Sequence, residues 1–568
     1  MQNRISSFRR NNSIDFFLRF FFLSILATIT AIFGHPVFGT TDDNILAGFV
    51  DGSYTGERES KLIFIRPLIG FILYITQGLL PNLGVYSLFL ILILILSLTN
   101  FGALLRIYSK SDISKKVLDT SWLVLSIPII MWFTLGPTYT SASMLITLIN
   151  LLSLAVLIFS EHRKSLYLNT IFSTILLSIG FLIRPEGGIG VILVAIPVIG
   201  LIFLQNRYVN FSKLFVSLIG FFMIFGGDSL IQNQSNTSEW KKYDKWNNLR
   251  HQIQHRVNQE YLDDFLKVNE WTVPEYNLFM SIAFGDERTF NAEWLGPAFE
   301  STSFTRGPQG VFNASIIATL SKIVTILKSY PHIIIIQVSI FLIILSSLRI
   351  NILRKLKILL VVYSGVIASL YYMSATLQIP ERGVVPILYM PTLMLLAVTI
   401  FFDQKENLNI TKVRFFGILF VLVSILAPNG LLDIRSKNMS NKELAVLASN
   451  ELNMFSKKAI YIGPGNSEFY QYRNPYINLA YWNSPTIITT GNWETFSPHW
   501  YKRLNVYGIN QPSIYEELFN KNRFWFGSQL PDIAYMVDLF LREKGLTEFS
   551  RRGVLDMKSG YVLYKFEQ

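Results

Sequence analysis

Four short stretches of this sequence set ionisable side chains beside strongly apolar blocks. Asp42 and Asp43 lie in GTTDDNILAGF, just after the first apolar run. Lys61 and Arg66 flank the start of the block from Leu62 to Leu80. Arg184 and Glu186 lie in LIRPEGG, and Glu381 and Arg382 in QIPERGVVP. Charge next to lipid is costly, so such residues mark function more often than charges elsewhere do. A carboxylate at a membrane surface can take a proton from a hydroxyl, and arginines at the same height can hold a phosphate by charge-assisted, often bidentate, hydrogen bonds. A reaction that expels a lipid phosphate needs both.

Each residue also has a plainer reading. An aspartate shortly before an apolar run is a common helix N-cap, which suits Asp42 or Asp43. Arg184 and Arg382 taken singly read as interfacial anchors. What favours chemistry is that all of these charges are expected at one depth on one side. No cofactor is demanded: Asp43 and Glu186 are the oxygen ligands that a divalent ion would use, and an oxygen-only set favours magnesium or manganese. Arginines can supply the same charge without a metal. His251 and His255 are four apart on a helical stretch but lack the glutamate of a zincin site, so they read as a surface pair. Gly463 and Gly465 read as a strand-end turn rather than a phosphate cradle.

An acidic pair after the first span, a juxtamembrane segment, alternating short loops and a soluble C-terminal tail together resemble the GT-C superfamily of membrane glycosyltransferases. The resemblance implies sugar transfer from a polyprenyl-phosphate or polyprenyl-diphosphate donor. It implies a catalytic base in the first outer loop, matched here by Asp42 as the first acid of the pair. It also implies basic residues for the donor phosphate, in places that Arg66, Arg184 and Arg382 occupy. ERGVVP is similar to an Arg-aromatic-x-x-Pro pattern of some members, except that Gly383 stands at the aromatic position. The stretches TTDDNILAGFVDGSYTGERES, RPEG and YDKWNNLRHQI further resemble uncharacterised bacterial multi-span proteins grouped with these transferases.

The elements that must position these residues follow from composition. The chain has 568 residues, 51% hydrophobic and only 15% charged, more apolar surface than a soluble core can use. The net charge of +12 is spread over short loops, such as Arg106 to Lys116, Arg163-Lys164 and Arg354 to Lys357, rather than gathered in one patch. That pattern is positive-inside topology and not a nucleic-acid surface. With no cysteine, disulfides and thiolate metal sites are excluded. Charge counting works only if the block Leu62 to Leu80 does not cross, so it is expected as a juxtamembrane or re-entrant helix.

The expected protein is thus α-helical and polytopic, with about eleven spans near 15–34, 84–105, 118–136, 141–160, 166–183, 188–205, 211–227, 332–348, 358–376, 384–402 and 413–430. The N-terminus is expected in the cytoplasm and the C-terminus outside a bacterial inner or plasma membrane. Residues 1–430 form the expected transmembrane domain, with outer loops 35–83 and 228–331. Residues 431–568 form a small extracytoplasmic α/β domain, with strands in KKAIYIGPGN and PTIITTGN and helices in SIYEELFNKN and DIAYMVDLFLREKG. The leading function is inverting glycosyl transfer from a lipid-linked sugar donor to a glycan, lipid or protein acceptor at the outer face. A transporter or flippase, a polysaccharide polymerase or ligase, and a non-catalytic envelope-assembly scaffold are the alternatives. Near-absence of charge at mid-span argues against a transporter.

Overall fold

The structure is a computed structural model. It describes residues 2–109, 112–160, 167–206, 208–256, 262–305, 352–376, 381–402, 432–452, 460–463, 472–478, 486–509, 513–519, 524–528, 531–545, 550–556 and 562–567, with isolated positions between 321 and 338.

Among the described residues, seven helices are long and apolar enough to cross a bilayer: Ser13–Phe33, Val85–Tyr108, Lys115–Leu135, Tyr139–Phe159, Pro185–Asn206, Phe211–Ser235 and Arg382–Phe401. In chain order the helices are α1 (Gln2–Phe33), α2 (Thr41–Asp51), α3 (Pro67–Leu79), α4 (Val85–Tyr108), α5 (Asp112–Leu135), α6 (Tyr139–Phe159), α7 (Tyr167–Ile183), α8 (Pro185–Asn206), α9 (Phe211–Ser235), α10 (Ser238–Arg256), α11 (Leu262–Asn269), α12 (Val273–Met280) and α13 (Ala292–Thr305). They are followed by Ile352–Thr376 and Glu381–Phe402. The spans expected near 332–348 and 413–430 lie almost wholly outside the described residues.

Helix α6 is the central pillar, buried along nearly all its length against α4, α7, α8 and Glu381–Phe402. Several of its polar side chains bond within the bundle: Asn150 Nδ2 donates to Ser97 Oγ and to the Ile146 carbonyl, and Ser153 Oγ donates to the Ile149 carbonyl. Helix α1 turns Phe17, Phe21, Ile25, Ile29 and Ile32 outward as one stripe, and α9 does so with Phe211, Phe215, Phe222 and Leu230. Such contiguous apolar surface requires lipid as its solvent. The chain is therefore a polytopic α-helical membrane protein.

Helix α3 has 13 residues, a rise of about 20 Å against a hydrocarbon core of about 30 Å, too short to cross upright. It opens with Arg66 at the N-cap and Pro67 at N1, buries Ile69, Gly70 and Leu73, and exposes Phe71, Ile72 and Ile75.

The tail carries β1 (Ile460–Gly463), β2 (Thr486–Thr489), β3 (Phe524–Ser528), β4 (Ser550–Asp556) and β5 (Val562–Glu567) in one sheet of order β2-β1-β3-β5-β4. Strands β2, β1 and β3 run parallel, while β5 is antiparallel to β3 and β4. SIYEELF forms a 3-10 helix, Ile514–Phe519, and Pro531–Glu543 the expected α-helix. The stretch after Gly463 lies outside the described residues.

The long loop and the tail share one core. Trp246, Phe279, Phe284 and Phe290 of the loop pack with Ile462, Trp500, Tyr515 and Phe540 of the tail. Tyr515 Oη donates to the Ala283 carbonyl at 2.6 Å, and Tyr243 Oη donates to the Trp493 carbonyl at 2.6 Å. A Cβ at Gly491 would stand 1.5 Å from the Ile282 carbonyl oxygen, so only glycine permits this closure. Ile282 and Phe496 flank the junction at φ 57° and 61°, a conformation that costs such residues energy and that packing holds in place. The tail is also fastened to the segment between α2 and α3: Lys502 pairs with Glu59 at 2.6 Å, and Arg503 Nη1 donates to the Tyr54 carbonyl at 3.0 Å.

Candidate active site

The first turn of α6, in GPTYTSAS, is the hub on which the site is built. Thr138 caps the helix, its Oγ1 accepting from the Ser141 N–H at 3.1 Å. The Tyr139 N–H, a donor that a helix start leaves without an intrahelical partner, donates to Asp43 Oδ1 at 2.7 Å. Ser141 Oγ donates to the Arg382 carbonyl at 2.7 Å, and Ser143 Oγ to the Arg184 carbonyl at 2.9 Å. One turn thus fixes two arginine backbones and the carboxylate beside Asp42.

Asp42 and Asp43 are neighbours on α2 with different fates. Asp43 is fully buried. Thr40 Oγ1 caps α2 by accepting from the Asp43 N–H and donates to Asp43 Oδ2 at 2.5 Å, and Tyr86 Oη donates to Asp43 Oδ1 at 2.7 Å. Burial pushes its carboxyl up to about 6, against the opposing pull of these donors. Asp43 therefore ties α2 to α4 and α6. Asp42 keeps 13% of its side chain exposed and turns into the cavity. Its Oδ2 accepts from Arg382 Nη1 at 2.5 Å and its Oδ1 from Trp493 Nε1 at 2.8 Å.

The basic residues are held differently. Arg184 Nη1 donates to Tyr139 Oη at 3.1 Å and Thr140 Oγ1 at 2.5 Å, both neutral partners, and its Nε lies 4.0 Å from the highly exposed Glu186. Arg66 Nε pairs with Asp228 Oδ2 at 2.6 Å, while Asp228 Oδ1 accepts from the Leu68 N–H. Asp228 is fully buried at the end of α9, so most of the Arg66 charge is already compensated. Lys61 Nζ donates to the Ser235 carbonyl at 3.1 Å and Asn236 Oδ1 at 3.3 Å, and stands 4.3 Å from the Trp240 ring centre. Burial lowers the Lys61 pKa, with Asp244 opposing.

Asp42, Lys61, Arg66, Arg184, Glu186 and Arg382 line one cavity of about 650 Å³. It lies where the bundle meets the core shared by the long loop and the tail, with Trp240, Asp244 and Arg250 of α10 and Trp493 of the tail completing its wall. Asp43 stands behind this lining, with its oxygens taken by Thr40, Tyr86 and the Tyr139 N–H. Of Glu381 the structure describes only that it begins a helix.

Sequence reasoning missed three contributors. Trp493 is one of several tryptophans able to meet a sugar ring, but its bond to Asp42 comes through the fold of a distant tail. Asp228 was hidden by its place at the end of an apolar run, although an acid there is itself a cue. The serines and threonines of TYTSAS opening a span were a readable sign of a helix start that holds something.

Along nearly its whole length the chain is similar to two crystal structures of ArnT from Cupriavidus metallidurans. The apo structure is 11% identical with a TM-score of 0.46, and the structure bound to undecaprenyl phosphate is 10% identical with a TM-score of 0.38. Each comparison covers 96% of this chain and 97% of that chain. No protein-family model and no curated protein matches the sequence. At these identities the likeness fixes no residue's role.

Proposed function

We propose that the protein is an inverting glycosyltransferase of the GT-C kind, moving a sugar from a polyprenyl-(di)phosphate donor to an acceptor hydroxyl at the outer membrane face. The observation that carries this reading is a single cavity in which one partly exposed carboxylate, Asp42, faces Arg184, Arg382, Arg66 and Lys61, drawn from separate parts of the chain. Asp42 takes the acceptor's proton as its oxygen bonds to the anomeric carbon. The bond from that carbon to the lipid phosphate oxygen breaks, and its electron pair leaves on the phosphate.

Arg184 is the first ligand for that phosphate, because its partners among the described residues are neutral hydroxyls and a loosely placed Glu186. Arg382 holds Asp42 oriented before the substrate arrives and stands beside the leaving group. Arg66 contributes less, since Asp228 already pairs with it. The charged residues sit at helix starts: Asp42 in the first turn of α2, Arg66 at the cap of α3, Arg184 before α8, and Arg382 in the first turn of its helix. This placement favours chemistry at the membrane surface over a transport path through mid-span. It accords with an N-terminus in the cytoplasm and a C-terminal tail outside. Loss of donor turnover in Asp42→Asn, with the fold intact, is the test.

A further inference from the structure

Helix α10 is amphipathic in an unusual setting. Tyr243, Trp246 and Ile253 bury one stripe in the core shared by the long loop and the tail. Trp240, Asp244, Asn247, Asn248 and His251, spaced by four, three, one and three residues, share another face. That second stripe lines the catalytic cavity, joined by Asn236 just before the helix. The cavity therefore has two walls: arginines from the membrane helices and their caps on one, and on the other the amides, carboxylate, imidazole and indole of α10 together with Arg250.

The arginine wall suits phosphate. The α10 wall offers donors and acceptors together, as a sugar hydroxyl requires, since it both donates and accepts. Its charge is locally balanced: Asp244 and Lys61 lie close enough for each to oppose the shift that burial imposes on the other.

We propose that the cavity-facing stripe of α10 is the donor-sugar subsite and that it takes an uncharged, hydroxyl-rich pyranose. This rests on the proposed function and deepens it. Asp244 and Asn248 bind the ring hydroxyls, while the lipid phosphate lies against Arg184 and Arg382.

The test uses the full chain in lipid nanodiscs and three probes: bare polyprenyl phosphate, a polyprenyl-phosphate neutral hexose and a polyprenyl-phosphate amino sugar. Wild type should bind the hexose lipid at least roughly tenfold more tightly than the bare phosphate, as expected for hydrogen bonds that include a charged partner. Asp244→Asn and Asn248→Ala should each remove most of that advantage and leave bare polyprenyl phosphate binding unchanged, which also reports an intact fold. Lys245→Ala, on the same helix but outside the cavity lining, should change nothing. Unaltered hexose selectivity in both cavity variants, or tighter binding of the amino sugar, overturns the subsite and leaves the proposed function standing. Failure of wild type to bind bare polyprenyl phosphate overturns both.

Discussion

Trp493 Nε1 stands 2.8 Å from Asp42 Oδ1, so a residue of the C-terminal tail hydrogen-bonds the carboxylate that follows the first membrane span. The indole is held edge-on to Phe64, with ring centres 4.6 Å apart, and its carbonyl is held by Tyr243. The tail thereby reaches into the site.

Trp493→Phe keeps most of the ring packing and deletes only the donor. We expect kcat to fall by roughly tenfold, because the carboxylate loses the donor that orients it. An unchanged rate would show that the indole only packs.

Asp228→Ala should be strongly destabilising, by about 3–5 kcal/mol, because it strands the Arg66 guanidinium without its buried partner. The double variant Arg66→Met/Asp228→Ala removes both charges and should recover much of that loss. Thermal unfolding in detergent measures both. A double variant no more stable than the single would mean that the pair is not coupled.

These two residues also mark what the sequence could and could not disclose. Asp42, Arg184 and Arg382 stood out because ionised groups beside lipid are few, and the cavity collects all three. Asp42 and Asp43 were indistinguishable, since adjacent helix positions point about 100° apart and only the packing of α2 on α4 and α6 decides which is enclosed. The short α3 was readable from charge balance and length. Trp493 and the α10 stripe were not, because they reach the site through the shared core of loop and tail, whose contacts span hundreds of residues of sequence.

Glu494 is fully buried next to Trp493, with Thr489 on Oε1 and, among the described residues, no hydrogen-bond partner on Oε2. Burial raises its pKa from 4.5 to about 7, and the charge of Asp42 pushes the same way. A raised folded-state pKa gives stability that is complete below the unfolded value and is lost as pH rises through the folded one. Relative to wild type, Glu494→Gln should therefore gain thermal stability progressively between about pH 4.5 and 7. A difference that does not vary with pH across that window would contradict the assignment.

The native chain has no cysteine, so single cysteines report topology without background. Lys245 and Val506 lie exposed on the core shared by the long loop and the tail, and Lys116 near the start of a span whose loop carries positive charge, so each is a site for Lys245→Cys, Val506→Cys or Lys116→Cys. In intact cells an impermeant thiol reagent should label the first two and spare the third. The reverse pattern would invert the orientation.

The central claim is that Asp42 is the general base, and Asp42→Asn tests it most directly. Purified protein is assayed against polyprenyl-phosphate sugars, with release of free lipid phosphate as the readout and Asp43→Asn as comparison. The amide is close in shape and its single oxygen can still accept from one of the two donors, Arg382 or Trp493, so folding and lipid binding should persist while turnover drops by roughly 10² to 10⁴. Asp43→Asn should instead show itself mainly as lost stability, because Asp43 joins three elements. Full turnover in Asp42→Asn, in protein that still binds polyprenyl phosphate, would contradict the account.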